Sequence, residues 1–60
     1  MAYLAVNKGG KEYIFNEKPY RDDYYNIWNN WKEEQIKLPK GSIEKLIGRK
    51  LTWKDEPVKI

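Results

Sequence analysis

The sequence predicts an α+β fold, a small antiparallel β-sheet built from two hairpins and packed on one short C-terminal helix. Three observations carry that prediction. Two short runs of β-formers flank a glycine pair, and an apolar stripe at helical spacing follows Pro39-Lys40-Gly41-Ser42. Although 35% of the sixty residues are charged, three Trp, five Tyr and one Phe provide far more aromatic surface than a disordered tail carries.

Taken in order, Tyr3-Leu4-Ala5-Val6 and Glu12-Tyr13-Ile14-Phe15 read as the strands of a first hairpin. Asn7-Lys8-Gly9-Gly10 supplies the reversal, with glycines able to take positive φ. Asn16-Glu17-Lys18-Pro19 ends the second strand, because proline donates nothing to a sheet ladder, and a loop is expected after it. The stretch 24–31 fits two periods. As a helix it gathers Tyr24, Ile27, Trp28 and Trp31 on one face; as a strand it alternates, and its Tyr, Ile and Trp content favours the strand. The strand is chosen, with Lys32-Glu33-Glu34 as the turn into Gln35-Ile36-Lys37-Leu38, so that 24–31 and 35–38 form the second hairpin. Ser42 is expected to cap a helix over Ile43–Ile47 with apolar Ile43, Leu46 and Ile47, Glu44 near its positive end and Gly48 as its stop. The expected core is Leu4, Val6, Ile14, Ile36, Leu38, Leu46, Ile47, Leu51 and Trp53, with Val58 and Ile60 in a short final edge.

Residues 1–60 are expected to form a single small domain, near the lower size limit for folding without disulfides, metal or a second copy. Cysteine and histidine are both absent, which removes thiolate and imidazole ligands and leaves only carboxylates and carbonyls for a hard cation. No metal and no cofactor is therefore expected. The lack of cysteine, of a run of about twenty apolar residues and of a basic flank on the opening Met-Ala-Tyr-Leu points to a cytoplasmic protein with no membrane partner.

The residue inventory argues against catalysis. Ser42 and Thr52 are the sole hydroxyl nucleophiles of their kinds, and no histidine serves either as base. Asp22-Asp23, Glu33-Glu34 and Asp55-Glu56 are adjacent pairs in expected turns, not carboxylates held apart across a cleft, and so short a chain has little depth for a pocket of about 300 Å³ or more. Gly9-Gly10 lacks the Lys-Ser/Thr and following helix of a phosphate loop. No catalytic residue is assigned, and the protein is read as a non-enzyme.

Two binding readings remain. Nine aromatic side chains exceed what one small core readily hides, and Trp and Tyr are enriched at interface hot spots. Tyr20, Tyr24, Tyr25, Trp28 and Trp31 are thus the candidate protein-binding residues, with a host or viral protein or a second copy of the chain as partner. The alternative is weak nucleic-acid binding. The net charge of +3 falls entirely within residues 40–50, where Lys40, Lys45, Arg49 and Lys50 outnumber Glu44.

The run Leu38-Pro39-Lys40-Gly41-Ser42-Ile43-Glu44-Lys45-Leu46-Ile47-Gly48-Arg49, continued by Leu51-Thr52-Trp53 and Asp55-Glu56-Pro57-Val58, resembles a segment of short uncharacterised proteins encoded by bacteriophages and prophages. Tyr3-Leu4-Ala5-Val6 and Glu12-Tyr13-Ile14-Phe15 are similar too, whereas residues 20–34 match no pattern of that group. The resemblance brings no catalytic residue or cofactor. It implies a virus-encoded protein that acts by binding, for example as an inhibitor of a host defence or housekeeping protein, with 38–58 as scaffold and the aromatic middle choosing the partner.

Overall fold

The computed structural model describes residues 2–32 and 34–60. Its elements run β1 (Tyr3–Val6), β2 (Glu12–Phe15), β3 (Tyr20–Asp22), β4 (Ile27–Asn29), β5 (Gln35–Leu38), α1 (Ser42–Ile47) and β6 (Val58–Lys59). Two antiparallel sheets result, a four-stranded one in the order β5-β2-β1-β6 and a two-stranded one of β3 and β4. The fold class is α+β, as expected.

Register explains the layering. Residues opposite one another across a sheet share a face, so Leu4, Ile14, Ile36 and Val58 form one row and Val6, Glu12 and Leu38 the next. Ile43 of α1 and Leu51 close over these rows, joined at the margin by Ile47. The opposite face carries Tyr3, Ala5, Tyr13 and Phe15, and there Trp28 of β4 packs with Ala5 and Phe15, flanked by Trp53. The main sheet is therefore covered by α1 on one side and by the β3–β4 hairpin on the other. Leu4, Ala5 and Val6 are consecutive yet all buried, the pattern of a strand enclosed on both faces.

The first hairpin forms where expected, its turn closed by the Asn7 amide donating to the Lys11 carbonyl at 2.9 Å. The second does not. β4 pairs with β3, Tyr20 opposite Asn29 and Asp22 opposite Ile27, whereas β5 pairs with β2. Residues 20–22, expected as loop, are strand, and 24–26, expected as strand, are turn. The cause is local chemistry: the Asp22 carboxylate accepts from the Tyr24 and Tyr25 amides at 3.1 and 3.2 Å, and Asn26 takes φ 59°. An aspartate accepting from the next amides and an asparagine in the left-handed region together make a tight reversal. Glu33, the middle of the turn expected at 32–34, lies outside the described residues.

Three further expectations are corrected. Ser42 is the first residue of α1, not its cap; its hydroxyl donates to the Pro39 carbonyl, and Gly41, at φ 91°, takes the cap position. The orphan amides there are met by β2, because Glu12 stands on the helix-facing row. Its carboxylate accepts from the Gly41 amide at 2.7 Å and the Ile43 amide at 2.8 Å. Ile36 is 67% exposed, since it lies at the outer end of its row on an edge strand beyond the reach of a six-residue helix. Leu46 is 58% exposed because Ile43 and Ile47, four apart, already define the inward face. Gly48 ends the helix as expected, at φ 78° with its amide donating to the Glu44 carbonyl.

Candidate functional site

Two surfaces carry the chemistry, and each is set by tertiary contacts. The first is the outward side of the β3–β4 hairpin. Its root is Trp28, only 2% exposed, whose indole Nε1 donates to the Val6 carbonyl at 2.9 Å while its backbone amide donates to Asn7 Oδ1. The Lys8 amide donates to the Asn26 carbonyl at 3.2 Å, tying the two hairpin turns together. Arg21 supports the same root from β3. Its guanidinium lies over the Trp28 and Trp53 rings, 4.8 and 5.2 Å from their centroids, and donates to the Trp53 carbonyl at 3.0 Å. The two indoles meet edge to face at 5.7 Å.

From that anchored base the other four candidates project. Trp31 is 90% exposed, Tyr24 83%, Tyr25 67% and Tyr20 44%. They form two pairs, Tyr24 against Tyr25 in an edge-on contact at 4.7 Å and Tyr20 against Trp31 at 5.9 Å. Of the five aromatics named from sequence, Trp28 is thus core and presents no surface, and a change there acts on folding. Arg21, which sequence reasoning passed over, is what braces the hairpin. Its signal was an arginine seated among aromatics on one short segment.

The second surface is a groove of about 840 Å³ between the first hairpin turn, the start of α1 and the segment 50–54. This exceeds the depth the chain length was expected to allow, because the groove is an open trough among three loops and not a hole in the core. Half-buried Trp53 supplies the apolar surface of its floor, above Val6, Ile43 and Leu51, which are core residues; its rim carries Lys8, Lys40, Lys50 and Lys54. Lys40 and Lys50 of the basic quartet therefore come together, whereas Lys45 and Arg49 are exposed and line none of it. Lys8 and Lys54 take their places. No spacing in the sequence signals that, since a hairpin turn and a C-terminal loop meet only once the sheet has formed.

Segment 51–55 is held by its own polar contacts. The Asp55 carboxylate accepts from the Thr52 amide at 2.8 Å and from its hydroxyl at 3.1 Å. The backbone amide of Thr52, then its hydroxyl, and more weakly Arg49, hold the Asp55 carboxyl below its ordinary 3.8. This loop shapes one wall of the groove. Among the described residues no group of three acidic side chains is placed to hold a metal ion, and no helix is long and apolar enough to cross a membrane. Compared with protein-family models, with curated proteins and with solved structures, the chain matches none.

Proposed function

We propose that the chain is a non-enzymatic binding module that engages another protein through the exposed aromatics of the β3–β4 hairpin, Tyr20, Tyr24, Tyr25 and Trp31. The observation that supports this is the contrast between Trp31, 90% exposed just beyond β4, and Trp28, 2% exposed within it. A large indole left in water beside an anchored hairpin is suited to be an interface hot spot, because a partner that covers it removes a whole aromatic surface from water. The residue inventory supports a non-enzyme, and the resemblance to phage-encoded proteins gives the reading its concrete form, an inhibitor of a host protein acting in the bacterial cytoplasm. A second copy of the chain is the other protein partner that an exposed aromatic ribbon suits.

The test is comparative capture from nuclease-treated bacterial lysate by tagged parent and by Trp31→Ala and Tyr24→Ala variants, washed at low and high salt. A stoichiometric protein retained by the parent at high salt, and lost from both variants while their melting temperatures stay unchanged, supports the reading. Equal retention by all three removes the hairpin from the interface. If instead nucleic acid co-purifies when nuclease is omitted and leaves in high salt, the lysines, not the aromatics, carry the function.

A further inference from the structure

The groove is a separate surface from the aromatic hairpin, and we infer that it binds an acidic peptide segment bearing an apolar anchor side chain. Charge and floor both lead to this occupant. Lys8, Lys40, Lys50 and Lys54 rim it, and among the described residues none of the four has a carboxylate within ion-pair distance, the pairs being Arg21 with Glu56 and Lys32 with Glu17. Two glutamates also line the groove. Glu12 is turned toward the helix start, accepting from the Gly41 and Ile43 amides, and pairs with none of the four lysines. Glu44 is exposed in the first turn of α1. Four ammonium groups against these two carboxylates leave the trough positive. Their flexible stems add apolar walls to the floor beneath.

The floor distinguishes a peptide from a nucleic-acid strand. Bases are held by stacking on aromatic faces, and here the aromatic of the lining, Trp53, is already engaged by Arg21 and Trp28. The half-buried indole and the lysine stems suit a Leu, Ile or Phe side chain, flanked in the same segment by Asp or Glu that reach the ammonium groups. An open trough also fits an extended segment better than a small molecule, which needs most of its surface enclosed.

The experiment is a fluorescence-anisotropy titration of the full chain with a labelled synthetic peptide in which Asp and Glu flank a Leu-Phe-Leu centre. Three competitors are run beside it: the same peptide with Asn and Gln for its acids, the same with Ser for its apolar centre, and a short oligothymidylate. The acidic apolar peptide is expected to bind at least about tenfold more tightly than either altered peptide. The double variant Lys8→Glu/Lys54→Glu lowers its affinity roughly tenfold, whereas Lys18→Glu/Lys59→Glu, outside the groove, changes it little. Thermal melts confirm that these surface variants stay folded. The Trp31→Ala variant binds the peptide as the parent does, which separates this site from the hairpin. Equal affinity for the acidic and neutral peptides, equal loss in both lysine pairs, or tighter binding of the oligothymidylate overturns the proposal.

Discussion

Glu12 stands on β2, yet both of its oxygens serve the start of α1, and this one side chain couples sheet to helix. Removing it in Glu12→Ala leaves two amides at a half-buried helix start without their acceptor and is expected to cost about 1–2 kcal/mol, read as a lowered urea midpoint at unchanged slope. Asp55 acts on the groove wall in the same local way. Because its folded value is depressed, its contribution is complete above the ordinary 3.8 and is lost as pH falls through the lower folded value. An NMR titration of the Asp55 carboxyl is expected to give a midpoint below 3.8, and Thr52→Val, which removes the hydroxyl donor and keeps the amide, moves it part of the way back. At the tryptophans, burial decides. Trp28→Ala is expected to cost about 3–5 kcal/mol, most of the stability of so short a chain, whereas Trp31→Ala stays within about 0.5 kcal/mol by the same denaturation assay. Composition alone does not tell these two indoles apart, because both periods considered for 24–31 left each a place on a plausible face. Only the Asp22 and Asn26 turn, which shortens the strand to Ile27–Asn29, points one inward and leaves the other out.

At the scale of elements, the helix and the first hairpin were legible because their signals are local. Gly48 followed an apolar stripe, and Asn7 to Gly10 separated two runs of β-formers. The helix N-cap was not, since its acceptors come from Glu12, about thirty residues earlier. The partner of β5 was misread for the same kind of reason: adjacency in sequence favoured β4, whereas the free edge of β2 was the better template once the first hairpin existed. The β3–β4 hairpin is too short to be stable by itself, so its order depends on the clamp at its root. Arg21→Ala is expected to destabilise the domain by roughly 1–2 kcal/mol and to speed amide exchange in Ile27–Asn29 more than in Leu4–Val6. Arg21→Lys restores this only in part, because an ammonium cannot both lie flat over the indoles and reach the Trp53 carbonyl.

For the molecule as a whole, the abundance of aromatics has a structural account. The second face of the sheet is covered by Trp28 and Trp53 with Phe15, Tyr3 and Tyr13, so five of the nine belong to a core that a two-layer reading did not provide. The expected single sheet on a helix was one layer short, and the missing layer is the segment whose period was ambiguous. The four that remain, Tyr20, Tyr24, Tyr25 and Trp31, are the surface excess. The exposure of four of the five aromatics named from sequence was therefore legible, while the lysine-rimmed groove was not, because it is assembled from segments remote in sequence.

β1 lies between β2 and β6, pairing Leu4 with Ile14 on one side and with Val58 on the other. Among the described elements that strand comes first in sequence and its second neighbour last, so its pairing is complete only once β6 has been made. Until then its outer edge is an open template, and a neighbouring nascent chain offering the same edge competes with β6 for it. Completion of the sheet thus waits on the two residues of β6, Val58 and Lys59.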